Sequence, residues 1–313
     1  MSVGLFYDGD RKFAAIQDPE ERRTVEGLRL AADILNAEPD FWYFGGPVTG
    51  GTAALELARQ RGFGSIADVR ENLSNEEFYK QVVRPNFVAL ARREAVYRRG
   101  DPALKSINPV DLEGKYRGIT GGESFDNRMT ETGFMAFWLP ILNRLVGAFA
   151  VPDGWETSNG TTEEVTEATM IQAGLRDRTP EFHLESYHDD PAQRAPLSLN
   201  ARIRALGEMF AHKLDAGVDA PAQATALARL FHVHDMIQNN ALGVIDSALL
   251  HDYDAADIER MKKQWKPRLL EEAAATITLD GLAEEYADAA QKAAPSPNKP
   301  SAAPNKTNKP QPV

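Results

Sequence analysis

Val146-Gly-Ala-Phe-Ala-Val-Pro-Asp-Gly-Trp-Glu-Thr-Ser-Asn-Gly-Thr-Thr-Glu-Glu-Val-Thr-Glu-Ala168 decides the fold. Its first six residues are an apolar run of strand length. Pro152 to Gly154 then break it, and Ser158 or Thr161 offers a cap for a helix whose apolar positions recur at helical spacing. About a hundred residues upstream, Phe41-Trp-Tyr-Phe-Gly-Gly-Pro-Val-Thr-Gly-Gly51 repeats the theme of a short apolar strand running into a glycine-bearing turn. Two such strand ends side by side make a crevice at the carboxyl edge of a parallel sheet, where open α/β folds bind ligands.

Working outward, the first 185 residues alternate between the two periodicities. A helix is expected over 19–37, a strand over 41–45, and helices over 52–61 and 75–98. An extended piece at Ile107, a helix over 128–144, the strand over 146–151 and a helix over 161–174 follow. This alternation predicts an α/β domain over 1–185 built on a parallel, doubly wound sheet. Residues 197–290 read as entirely helical, a domain or cap, with candidate helices from Leu199, from Pro221 past Leu242 and Ile245, over 255–265, from Leu269 to about Ala275, and over 281–290. The segment 291–313 holds six prolines and four lysines without an aromatic residue. It cannot bury enough apolar surface to offset its ordering entropy and is expected to be a disordered tail.

Composition narrows the partners. The chain has 313 residues, 42% of them hydrophobic, no cysteine and a formal net charge of −11. An acidic chain disfavours a polymeric nucleic acid, yet helix-terminal amides hold a small anion without any cation. The absence of cysteine removes thiolate chemistry and disulfides. The longest apolar stretch, 134–151, is interrupted by Pro140, Asn143 and Arg144, so no membrane span is expected. The start of the chain lacks a basic segment followed by an apolar core. A cytoplasmic protein that handles a small molecule is the expectation.

The candidate chemistry sits at the two strand ends. Glycines at 45, 46, 50 and 51 let a ligand approach the backbone, and Thr49 adds a hydroxyl. No lysine follows them, so this is not a P-loop. Glu163 and Glu164 are expected in the first turn of the following helix, where the helix dipole favours carboxylates. A Glu164 carboxylate held ionised there and facing the crevice is a nucleophile for a sugar's anomeric carbon. The same residues also read as an ordinary capped helix start. Trp155 is either a ring that stacks a base or a core residue, and Arg128 either a phosphate cation or half of a surface ion pair.

Tyr43-Phe-Gly-Gly-Pro-Val-Thr-Gly-Gly, Asn127-Arg-Met and Pro152-Asp-Gly-Trp-Glu-Thr-Ser-Asn-Gly-Thr-Thr-Glu-Glu together resemble the nucleoside 2-deoxyribosyltransferase-like superfamily, which includes nucleotide N-glycosidases and the DUF4406 group. The resemblance spans roughly residues 40–176. It implies a Rossmann- or flavodoxin-like sheet, with Glu164 as nucleophile and Ser158 at the place where transferases often carry an aspartate. Asp126, Glu131 or Asp153 would then be sources of a proton for the leaving base. It further implies ligand contacts from the glycine turn, Gly45, Gly46, Thr49, Gly50 and Gly51; Tyr43, Arg128, Asp153, Trp155, Gly160 and Thr161 are further candidate contacts. The expected ligand is a nucleoside or nucleotide, with no cofactor and no metal, and the site is expected to be completed by a neighbouring subunit of a homo-oligomer. Two alternatives stand beside cleavage or transfer at the N-glycosidic bond. One is a binding module without turnover. The other is a metal-dependent hydrolase using His232, Asp235, His251 and Asp252.

Overall fold

The computed structural model describes residues 8–34, 41–108, 131–176, 178 and 180–276. Asp126, Arg128, the expected helix over 281–290 and the 291–313 segment lie outside them. The chain is a mixed α/β protein on a five-stranded sheet. Its strands are β1 (Phe41–Tyr43), β2 (Ser106–Ile107), β3 (Val146–Val151), β4 (His183–Ser186) and β5 (Ala195–Pro196). They lie in the order β2-β1-β3-β4-β5; the first three pairings are parallel and β4–β5 is antiparallel.

The helices are α1 (Asp8–Ala15), α2 (Pro19–Ile34), α3 (Gly51–Arg61), α4 (Ile66–Asn72), α5 (Asn75–Phe78), α6 (Arg84–Gly100), α7 (Glu131–Leu145), α8 (Asn159–Gln172), α9 (Leu199–Asp215), α10 (Pro221–Gln238) and α11 (Ala255–Thr276). A π-helical turn, Tyr79–Val83, joins α5 to α6.

Strand pleating sorts the side chains onto two faces. Tyr43, Phe149 and Val151 enter the main core with Trp138 of α7 and Val165, Ala168 and Ile171 of α8. Trp42, Phe44 and Ala150 meet Leu90 and Tyr97 of α6 on the other face. The main core continues without a break into α9, α10 and α11 through Leu199, Ile203, Leu227, Leu230 and Trp265. Strand order reverses at β1, which has β2 on one side and β3 on the other. At such a reversal the loops leaving neighbouring parallel strands diverge and leave a crevice at their carboxyl ends.

Several expected boundaries move. The helix from Pro221 ends at Gln238 rather than running past Leu242, because Asn240 takes a left-handed conformation (φ 51°) that asparagine tolerates and a helix interior does not. The expected helices at 255–265 and 269–275 are one helix, α11, with Pro267 inside it. Its seam of Ile258, Met261, Trp265 and Leu269 is buried at helical spacing, and this burial outweighs the proline's missing hydrogen bond. The short strands β4 and β5 and helix α1 extend the expected pattern. Among the described residues no helix is long and apolar enough to cross a membrane.

Candidate functional site

The β1 and β3 loops are locked together before any ligand is considered. Gly51 has φ +74°, a conformation that favours glycine, and its N–H donates to Thr157 Oγ1 at 2.7 Å. Asn86 of α6 donates from Nδ2 to the carbonyl oxygens of Val48 and Gly50, each at 2.9 Å. After β3, Gly154 takes φ 77° and starts a short 3₁₀ turn, Trp155–Thr157. Ser158 then caps α8, its hydroxyl oxygen accepting from the Thr161 N–H.

The cap places Asn159 first in α8, so Glu164 falls in the second turn, with its side chain turned inward. Its carboxylate is not held by helix-terminal amides. It is 5% exposed, and Tyr43 Oη donates to Glu164 Oε1 at 2.6 Å. Burial is the largest influence and pushes the carboxyl up to about 8; the Tyr43 hydrogen bond pulls downward and neighbouring Glu163 pushes upward. The expectation of an ionised carboxylate is corrected: burial favours the neutral carboxyl of Glu164 near pH 7. Tyr43 is itself raised well above its ordinary value, first by burial and then by Glu164, and stays a donor.

This pair forms part of the wall of a cleft of about 1140 Å³, slightly larger than the usual small-molecule site. Of the expected site residues, Tyr43, Gly46, Thr49, Gly50, Ser158, Gly160, Thr161 and Glu164 line it. Gly45, Gly51, Asp153 and Trp155 are not on the lining. Gly45 lies beside the pair: a Cβ there would sit 2.5 Å from Tyr43 Cε1 and 2.9 Å from Glu164 Oε2. Trp155 is 4% exposed and packs in the main core, so it offers no stacking surface. Asp153 is exposed, and its charge acts on Arg93.

Much of the wall carries no signal in the sequence. Asn86, which pins the glycine turn, gave no motif. Phe63, Phe78 and Phe87 form an apolar side, and Phe134 and Trp138 also reach the cleft. The last part comes from the helical region: Met209, His212, Lys213 and Asp219. The helical period found α9, but which of its polar residues meet Ser158 to Thr161 depends on tertiary packing.

The histidine constellation assembles differently from the expectation. Among the described residues the cluster of potential metal donors is His234, Asp235 and Glu259, without His232, His251 or Asp252. His251 pairs with Asp252 at the surface. His234 is fully buried, and both ring nitrogens are engaged: Tyr253 Oη lies 2.9 Å from Nδ1 and Glu259 Oε1 lies 3.1 Å from Nε2. Gln238 donates to Tyr253 Oη, and an Nε2 proton donated to the Glu259 carboxylate leaves Nδ1 of a neutral ring to accept from the tyrosine hydroxyl. Lys262 supplies a cation to both Asp235 and Glu259. The donors are occupied as a packed polar network joining α10 to α11.

Comparison with protein-family models, with known proteins and with solved structures finds no match to this chain.

Two outcomes follow from the site geometry. Tyr43→Phe removes the one influence on Glu164 that favours ionisation, so its carboxyl titrates at still higher pH. A pH titration of Glu164 by carboxyl-carbon NMR checks the upward direction. Gly45→Ala forces a methyl between the tyrosine and the glutamate; a destabilisation of about 1–3 kcal/mol is expected in urea unfolding, as for other overpacked sites.

Proposed function

We propose that this chain is a nucleoside 2-deoxyribosyltransferase-like protein on a doubly wound, flavodoxin-like sheet. In this reading it acts on the N-glycosidic bond of a nucleoside or nucleotide. The observation that carries the reading is the Tyr43–Glu164 pair: a buried carboxyl, hydrogen-bonded at 2.6 Å, in the wall of a cleft at the strand-order reversal. A carboxyl perturbed by burial and a specific partner in such a cleft is a candidate functional group with a physical rationale.

In the proposed reaction the Glu164 carboxylate attacks the anomeric carbon as the bond to the base nitrogen breaks. The bonding pair leaves on the base, which takes up a proton from water. Water or a second base then attacks the same carbon, releasing the sugar from the ester and restoring the carboxylate. Tyr43 holds the attacking oxygen's neighbour in place and, as a donor, favours the ionised form. Only the ionised form attacks, so kcat/KM rises with pH and levels off above about 8, the value for the free protein.

A second reading, binding without turnover, draws on the same burial. A neutral Glu164 is a hydrogen-bond donor to a ligand rather than a nucleophile, and Asp219 is the other acid on the described cleft wall. A screen of ribo- and deoxyribonucleosides and their 5′-monophosphates, followed by chromatography for free base, separates the two. Base release by the wild type that vanishes in Glu164→Gln supports cleavage. Equal release by both proteins contradicts the role given to Glu164. Ligand-induced thermal stabilisation without release assigns the binding reading.

A further inference from the structure

Helix α6 carries a surface unlike the rest of an acidic chain. Its buried residues are Leu90, Glu94 and Tyr97, and its opposite side is exposed and bears no acid. Val88, Ala91 and Ala95 run down the middle of that side at i, i+3 and i+7, the spacing by which one helix receives another. Val88 is 42% exposed, unusual for a large apolar side chain among the described residues. Arg84 heads this seam, and Arg92 and Arg99 follow one flank. All three are exposed and have no ion-pair partner among the described residues. Arg98, on the other flank, is held by Glu94 at 2.7 Å and by Ser106. From Arg84 to Arg99 the stripe is about 22 Å long. A solvated helix face ordinarily mixes both signs of charge. In a chain of net charge −11 this one presents cations alone along an apolar line.

The complement is in the same sequence. Asp280-Gly-Leu-Ala-Glu-Glu-Tyr-Ala-Asp-Ala-Ala290, outside the described residues, holds four acids and no base, and the sequence predicts a helix over 281–290. At helical spacing Leu282, Tyr286 and Ala289 share a stripe at i, i+4 and i+7, with Glu285 and Asp288 along one side. Large side chains on this stripe meet the small ones of α6, and carboxylates meet guanidiniums. We infer that the exposed face of α6 docks the 280–290 segment of a second copy of this chain. The chain's own segment does not reach. α6 packs on one face of the sheet and α11 on the helices of the other, while residues 277–280 extend by at most about 14 Å. Exchange between two copies is reciprocal and closes as a two-fold dimer. None of these α6 residues lines the cleft, so docking neither needs nor tests the Glu164 chemistry.

The test is sedimentation equilibrium of the full chain at low and high salt. Beside the wild type it uses Arg92→Glu with Arg99→Glu, Glu285→Lys with Asp288→Lys, and a protein carrying all four changes. The wild type is expected to dimerise at low salt. Its dissociation constant should rise about tenfold or more in about 0.5 M salt, because exposed charges are screened. Either charge-reversed pair alone should weaken dimerisation by a similar factor through like-charge contact. The four changes together should restore most of it, a rescue that misfolding does not imitate. A wild type that stays monomeric at low salt, dimerisation unchanged by either reversal, or no restoration in the combined variant would overturn the inference.

Discussion

Glu164→Gln is expected to give a protein more stable than the wild type at neutral pH and without N-glycosidic cleavage. The stability part follows from the raised pKa. The folded carboxyl titrates at about 8 against an ordinary value of 4.5. Between these values the folded state keeps a proton that the unfolded state has lost. Stability therefore falls as pH rises through this window and stays reduced above it. Each pH unit is worth about 1.4 kcal/mol, so the cost near pH 7 is on the order of 3 kcal/mol. Glutamine keeps an oxygen for the Tyr43 hydroxyl and has no charge to bury, so it lacks this penalty. Its stability advantage should be largest above pH 8 and should vanish near pH 4, where glutamate is protonated in both states. Denaturant unfolding across that range checks it; an advantage independent of pH would show that the buried carboxyl is not the cause. Stabilisation by removing a charge-bearing group is the expected mark of a site that trades stability for function.

Arg202→Ala is expected to cost about 3–5 kcal/mol, as when one partner of a buried charged network is removed. Arg202 of α9 is fully buried. It donates from Nε to the Leu197 carbonyl at 2.8 Å, from Nη1 to Thr169 Oγ1 at 2.7 Å and from Nη2 to Gln172 Oε1 at 2.6 Å. Gln172 in turn donates to the Phe182 carbonyl at 2.6 Å and to Asp246 Oδ2 at 3.1 Å. One guanidinium thereby ties α9 to α8, and through Gln172 to the start of β4 and the loop before α11. Burial lowers its pKa to about 9, with Asp246 acting in the opposite direction, so it still carries its charge near pH 7. Alanine would leave three acceptors without this donor and a cavity between α8 and α9. Lysine cannot span three acceptors from one planar group and should rescue little. Urea midpoints measure the loss; a cost below about 1 kcal/mol would show that apolar packing alone holds the helical region to the sheet.

What could be read from the sequence was what is encoded locally. The Val146–Val151 run, the break after it and the Ser158 cap are adjacent, and together they locate β3 and α8. Phe41–Tyr43 and the glycines after it place β1 and its turn in the same way. Strands β4 and β5 have four and two residues, too few for alternation to register. The end of α10 turned on one asparagine's backbone angle, and the continuity of α11 on burial that overrode a proline. The site was half visible. Glu164 could be picked out by its place after the cap, but its protonation could not, since it depends on enclosure and on Tyr43, 121 residues away. Lys213 gave no signal for the same reason: its place beside Asn159 is made by the packing of α9 on α8.

The proposed reaction requires Glu164 to form a bond to the sugar. The most direct measurement is mass spectrometry of peptides from protein quenched during turnover with the nucleotide that the base-release screen identifies. A glycosyl ester is expected on the peptide bearing Glu164, formed more readily above pH 8 than near pH 6 and absent in Glu164→Gln. Base release at the wild-type rate by Glu164→Gln, or the sugar on a different peptide, would contradict it.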